Sequence, residues 1–334
     1  MLAHAAVATD PWKVVYLAIE VPEPGPEDVV IRLLHSWISN GTEGSFVRGE
    51  RIAGDSPRTD SDPMPFPHVS GYQKVGVVES VGADVTGLEI GDRVFATVSR
   101  VSGMYFPTGG HVSPAVTHQS QVWKVPHGLS LVSVSGMVLT QVGYNVGMRP
   151  MVSEGDACIV IGDGMVGHWS AQTLQHRGAR VLLLGRHRDR LDRFECRVND
   201  LTLNVRGEGL LDSIRTWAPE GIQLVADTVG DVPFLESLLP LMRRFGQISS
   251  AGFYGNDGRI DIQKLRNQEL ALYAPSGWSK PRMDETLDLL NSGELRTEHL
   301  ITHRLPVKRA NEAFDLILNR REGVLGVVLD WSQE

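Results

Sequence analysis

Residues 158–161 form an unbroken apolar run, the pattern of a short strand buried on both faces, and Gly162-Asp163-Gly164-Met165-Val166-Gly167 follows directly. Apolar residues then recur at Val166, Trp169, Ala171 and Leu174, close to the spacing of one helix face, and stop before Gly178. A second apolar run covers 181–184. The pattern predicts a β-α-β unit folded around G-x-G-x-x-G. Further runs at 224–230, 247–253 and 270–273, each closed by glycine or a polar turn, predict more strands of the same parallel sheet. Upstream the rhythm changes. Short apolar clusters at 29–34 and 75–81, punctuated by Gly71, Gly82 and Gly91, predict a β-rich domain. The polar, proline-containing stretch 51–67 reads as a long loop.

The glycines carry chemistry. The first permits a tight turn, the second lets backbone approach a pyrophosphate, and the third lets helix and strand pack closely. The helix start then presents N–H groups and the positive end of its dipole to the phosphates, which assigns Gly162, Gly164, Met165, Val166 and Gly167 to a dinucleotide. An NAD site usually closes the second strand with Asp or Glu. Here Gly185 stands there, followed by Arg186, His187 and Arg188. Without that carboxylate a 2′-phosphate is not repelled, and a guanidinium binds it in fork geometry. The expected cofactor is therefore NADP(H), held by Arg186 first and Arg188 second. The competing reading makes these arginines the solvated start of the next helix, with partners such as Asp192. Ligands of such a sheet lie beyond the carboxyl ends of its strands, so Thr228, Val229, Ala251 and Gly252, with Ser276 after the run at 270–273, are expected on the nicotinamide side.

Length and charge narrow the class. The 334 residues suit two domains, and a net charge of −8 argues against broad attraction to nucleic acid or anionic membrane. Two cysteines build neither a disulfide framework nor a cysteine metal cluster. The first residues show no signal-peptide pattern, no apolar stretch approaches a membrane span, and a cytoplasmic location is the expectation.

Several motifs together resemble a known family. Pro22-Glu23-Pro24-Gly25-Pro26, Gly41-Thr42-Glu43, 71–78 and Gly91-Asp92-Arg93-Val94 are similar to the GroES-like catalytic domain of the medium-chain dehydrogenase/reductase superfamily. The fingerprint sits where that family keeps its coenzyme domain, and 300–306 with 310–314 resembles its returning C-terminal segment. The resemblance implies an α/β protein: a Rossmann doubly wound parallel sheet over 140–273, and a GroES-like β-rich domain from 1–139 and 274–334. It also implies a homodimer.

The departures from the family are informative. Zinc-dependent members carry a cysteine, a histidine and a third ligand, and those positions fall on Asn40, Tyr72 and Val138. Zinc needs three protein ligands besides an open position, and these side chains do not provide them, so no metal is expected. Hydroxyl donors remain. Tyr72 and Thr42 are the candidates to stabilise charge on a substrate oxygen, with Asn40 and Glu43 supporting, although Tyr72 also reads as a buried filler. Trp37 to Glu43 and the tyrosine after Gly71 are similar to the zinc-lacking branch that includes bacteriochlorophyllide dehydrogenases. The reading is a zinc-independent NADP(H) oxidoreductase acting on an alcohol or ketone. A reductase of enones or quinones, and a non-catalytic NADPH-binding protein, stay open as alternatives.

Overall fold

The protein is described by a computed structural model covering residues 1–256 and 258–332. The chain divides into two compact units, Met1–Val138 with Thr297–Glu334, and Leu139–Arg296.

The first unit opens with a hairpin, β1 (Leu2–Asp10) and β2 (Lys13–Glu20), turned by Trp12 in a left-handed conformation (φ 65°). Strand β3 (Asp28–Ile38) is the long central element. It leads through Asn40-Gly41 into the short helix α1 (Thr42–Val47). Residues 51–67, expected as plain loop, contain a tight hairpin of Arg51–Ala53 against Ser56–Pro57. Its anchor is Arg51, buried against the Ser45 hydroxyl at 2.5 Å and the Asp55 carboxylate at 2.8 Å. Strand β4 (Lys74–Val81) pairs antiparallel with β3, and its other side takes β5 (Arg93–Ala96). Strand β6 (Ala115–His118) returns to β3, and β7 (Val122–Lys124) pairs with β5.

The second unit is the Rossmann half. Helix α2 (Met137–Met148) precedes β8 (Ala157–Ile161), all five residues of which are buried. Then follow α3 (Met165–His176), β9 (Arg180–Gly185), the short α4 (Arg188–Leu191) and β10 (Leu201–Asn204), the last a strand that the apolar pattern did not announce. Helix α5 (Leu210–Trp217), β11 (Ile222–Asp227), α6 (Val232–Leu238), β12 (Met242–Ser250) and β13 (Ala271–Tyr273) complete the sheet. Its order is β10-β9-β8-β11-β12-β13, all parallel. Alternation sends Ile159, Leu182 and Val225 into one apolar layer and Cys158, Val181 and Leu224 into the other, so both faces are covered. Cys158 is thus a small buried hydrophobe, its thiol pushed up by burial.

Residues 274–296, read from sequence with the first domain, lie in the second unit. The cause is local packing. Helix α7 (Lys280–Ser292) buries Met283, Thr286, Leu287 and Leu290, the Tyr144 hydroxyl donates to Glu285, and Gln172 brackets the backbone of Arg296.

The chain then returns to the first unit as β14 (Ile301–Pro306), α8 (Ala310–Leu318) and β15 (Gly326–Asp330). Strand β15 pairs antiparallel with β3, extending its sheet to the order β7-β5-β4-β3-β15-β14 with β6 also on β3. The core of this unit gathers Ile31, Leu33, Val78, Val94, Phe314 and Val327. Among the described residues no helix is long and apolar enough to cross a membrane.

Candidate active site

The end of β3 and the start of α1 bring together what the sequence separates. Ser39, Asn40, Thr42 and Glu43 lie on that turn, and Tyr72 arrives just ahead of β4. The Tyr72 phenol hydrogen-bonds with Ser39 and Thr42. Burial first, and the nearby Glu43 carboxylate second, push its proton affinity well above the ordinary tyrosine range, against the opposing pull of those two hydrogen bonds and of Arg51. The phenol is therefore kept protonated at neutral pH.

Glu43 does not face solvent. One oxygen accepts the Ser39 N–H at 2.8 Å, and the other lies 2.8 Å from His111 Nε2. His111 Nδ1 is 2.8 Å from the Ser36 hydroxyl, which also accepts the Trp331 indole N–H at 2.8 Å. Glu43 and His111 are 2 % and 0 % exposed, so the imidazole is a buried partner of the carboxylate. Glycines make room for it. Gly71 has φ 89°, and a Cβ there would strike the His111 ring at 2.7 Å; one on Gly110 would lie 2.2 Å from the Gly71 carbonyl carbon. The network seats the turn that holds Tyr72. Sequence reasoning missed it, although two glycines beside the motif tyrosine and the histidine were the signal.

Asn40 donates its amide to Leu325 O at 2.6 Å, while its Oδ1 is buried with no hydrogen-bond partner. Gln73 donates to Trp37 O at 3.1 Å. Lys74, fully buried on β4, donates to Thr97 O, and burial pulls its ammonium down to about 7. The catalytic zinc that the family resemblance implies does not fit these groups: an amide whose nitrogen is engaged, a protonated phenol and the alkyl side chain of Val138. Among the described residues no cluster of three His, Cys, Asp or Glu side chains is placed to hold a metal ion.

The second unit carries the glycine-rich loop read from sequence as a dinucleotide cradle. Gly162 turns with φ 120°, and a Cβ on it would meet Thr228 Oγ1 at 2.4 Å. Thr228 in turn donates to Ile161 O at 2.8 Å, lacing β8 to the end of β11. A Cβ on Gly167 would lie 1.9 Å from Gly162 O, whereas one on Gly164 would meet nothing within 4 Å. That contrast is what a pyrophosphate seat requires: close packing behind, open space in front. No side chain caps the start of α3, where Met165 and Val166 begin the helix. Asp227 closes the sheet end by accepting the N–H groups of Val229 and Gly230 and the Tyr254 hydroxyl. Gly252 packs against Gly230 so tightly that a Cβ would lie 2.1 Å from Gly230 N, and the N–H of Ala251 donates to Asp227 O. Ser276 is exposed beyond β13.

At the end of β9, Arg186 reaches Asp231 at 3.5 Å and is 52 % exposed. Arg188 is 80 % exposed and pairs with Asp192 one helical turn on, at 2.8 Å. The space a side chain on Gly185 would need is taken by Asp163 from the fingerprint itself, 2.5 Å from a built Cβ. The Asp163 carboxylate accepts the N–H groups of Arg186 and His187 at 2.6 and 2.7 Å and lies 3.0 Å from His187 Nδ1. Burial raises its proton affinity, but the hydrogen bonds from His187 and Arg186 outweigh that and hold the group below its usual range.

Comparison with known proteins agrees with this architecture. Residues 25–127 match the alcohol dehydrogenase GroES-like domain. Over 344 aligned positions, 99 % of both chains, the sequence is 24 % identical to 2-desacetyl-2-hydroxyethyl bacteriochlorophyllide A dehydrogenase of Cereibacter sphaeroides. Among solved structures, a short chain alcohol dehydrogenase from E. coli CFT073 in complex with NADH superposes with TM-score 0.84 at 20 % identity, covering 98 % of this chain and 99 % of that one. A zinc-binding dehydrogenase from Sinorhizobium meliloti 1021 bound to NADP gives 0.83 at 18 %, covering 99 % of each. The fold is therefore that of these dehydrogenases: a GroES-like β-rich unit plus a Rossmann unit.

Proposed function

We propose that this chain is an NADP(H)-dependent oxidoreductase of the medium-chain dehydrogenase/reductase superfamily that interconverts an alcohol and a ketone without a catalytic zinc ion. The observation that carries the reading is the Tyr72 phenol, kept protonated and hydrogen-bonded with Ser39 and Thr42, at a position where the family resemblance implies a metal ligand. The dehydrogenase relatives support the reaction class, and neighbours holding NADH and NADP support a nicotinamide cofactor. Gly185 followed by Arg186 favours the phosphorylated form.

NADP(H), when bound, supplies or accepts the hydride at the nicotinamide ring. Gly162, Gly164, Met165, Val166 and Gly167 hold the pyrophosphate, Gly185 with Arg186 and then Arg188 the ribose phosphate, and Thr228, Val229, Ala251, Gly252 and Ser276 the nicotinamide end. Tyr72 donates a hydrogen bond, and in reduction a proton, to the substrate oxygen, and Thr42 orients the phenol. Glu43 fixes the turn by accepting the Ser39 N–H and pairing with His111. Asn40 supports the turn by donating its amide to Leu325 O. The reading extends to a cytoplasmic homodimer, for which β13 is suited as an edge strand with Ala271 and Leu272 exposed.

The test is a panel of ketones and enones offered to the purified protein with NADPH. Turnover of ketones supports the assignment; turnover of enones alone defeats it, and NADPH binding without hydride loss to any acceptor moves the chain out of the enzyme class. Elemental analysis of the same preparation is expected to find no stoichiometric zinc.

A further inference from the structure

The end of β9 lacks its acid, yet the acid is present. A built Cβ on Gly185 falls 2.5 Å from both Cβ and Oδ2 of Asp163, so the glycine is the space that the fingerprint's own aspartate fills. Its carboxylate thus stands beside the ribose end of the cradle, where a strand-end Asp or Glu would favour an unphosphorylated ribose and repel a 2′-phosphate. The carboxylate is 8 % exposed and covered. Backbone N–H groups of Arg186 and His187 meet Oδ2, His187 Nδ1 lies within 3.2 Å of both oxygens, and Arg190 Nη1 is 3.6 Å from Oδ1. Of these, the imidazole is the movable cover, 51 % exposed on a short turn. Asn204 on β10 braces the same turn by donating to Arg186 O at 3.1 Å, and Asp231 engages Arg186 from the other side.

We propose that the Asp163–His187 pair is the specificity device of this cofactor site: His187 masks the fingerprint carboxylate, and the masking is what admits a 2′-phosphate. The proposal rests on the NADP(H) reading. It assigns the discriminating charge to the glycine-rich loop rather than to the strand end, and gives Arg186 only the attractive half of the selection.

The experiment measures NADPH and NADH dissociation constants, from quenching of protein fluorescence without turnover, in the wild-type chain, H187Q, H187R, D163N and the double variant H187Q/D163N. H187Q is expected to weaken NADPH by about ten-fold or more, the scale of one unmasked charge beside a phosphate, with NADH changed little. H187R should keep the wild-type preference. D163N in the H187Q background should restore NADPH affinity, because it removes the charge that had been exposed. A double variant as weak as H187Q makes His187 an ordinary phosphate ligand and overturns the proposal, as does an unchanged NADPH-to-NADH ratio in H187Q. His187 is exposed, so the H187Q ratio decides even if D163N fails to fold. A wild-type chain that prefers NADH removes the NADP(H) reading itself, whereas NADPH preference with indifferent variants removes only the masking pair.

Discussion

His111 Nε2 lies 2.8 Å from Glu43 Oε2, with both side chains almost wholly out of water. Removing one member of such a pair leaves the other in an apolar setting without its main partner, and the cost falls on the turn that holds Tyr72. His111→Leu is expected to destabilise the protein by about 3–5 kcal/mol, while the double change Glu43→Leu with His111→Leu should cost less than the sum of the two singles. Urea unfolding of the four species measures the coupling. Strict additivity would show that the contact contributes nothing.

Tyr72→Phe keeps the ring and removes the hydroxyl. Ketone reduction should fall by about 10²- to 10⁴-fold in kcat, the range for loss of a positioned acid, with NADPH affinity unchanged. Wild-type turnover by the variant would make Tyr72 a packing residue.

Two fingerprint glycines should fail in different ways. A Cβ on Gly167 collides with Gly162 O at 1.9 Å, so Gly167→Ala should lower the melting temperature or prevent folding. A Cβ on Gly164 meets no protein atom within 4 Å, so Gly164→Ala should melt like the wild type yet bind NADPH poorly, since the methyl enters the pyrophosphate's space. Calorimetry with fluorescence titration separates the two effects. Normal binding by Gly164→Ala would displace the cofactor from this loop.

Lys74 gives a pH signature. Its ammonium titrates at about 7 in the folded chain against an ordinary 10.5, because burial disfavours the charged form. Between those values the unfolded chain holds a proton that the folded chain has lost, so this group makes stability rise with pH; below about 7 both forms are protonated and the penalty is complete. Lys74→Met should therefore stabilise by a few kcal/mol, an order-of-magnitude figure from the shift, at neutral pH and below. The advantage should shrink as pH climbs toward 10. Thermal melts of both proteins across that range check it, and a gap independent of pH would place the amine in water.

Periodicity made the Rossmann half legible because each buried strand is a continuous apolar run, as in β8 and β11. Strand β10 escaped: Leu201 to Asn204 sits at the sheet edge, half-buried, with too short an apolar signal. The hairpin at Arg51 escaped because a buried arginine reads as a surface residue until its partners are seen. The turn bearing Thr42 and Glu43 could be aligned by motif, but that Glu43 looks inward to His111 depends on residues 68 positions apart. Asp163 and Gly185 are the same lesson in volume: a missing side chain on one strand and an extra carboxylate in a loop are one feature, visible only once β8 and β9 lie side by side.

The threonine that laces Ile161 to the end of β11 has a kinetic corollary. Its hydroxyl is already bound to backbone, and a Cβ on Gly164 would meet nothing within 4 Å, so the loop is braced behind and open at that glycine before a nucleotide arrives. Preorganisation of this kind lowers the entropic cost of association. Rapid mixing with NADPH should accordingly give a single exponential phase whose rate grows linearly with nucleotide concentration, without a slow isomerisation behind it.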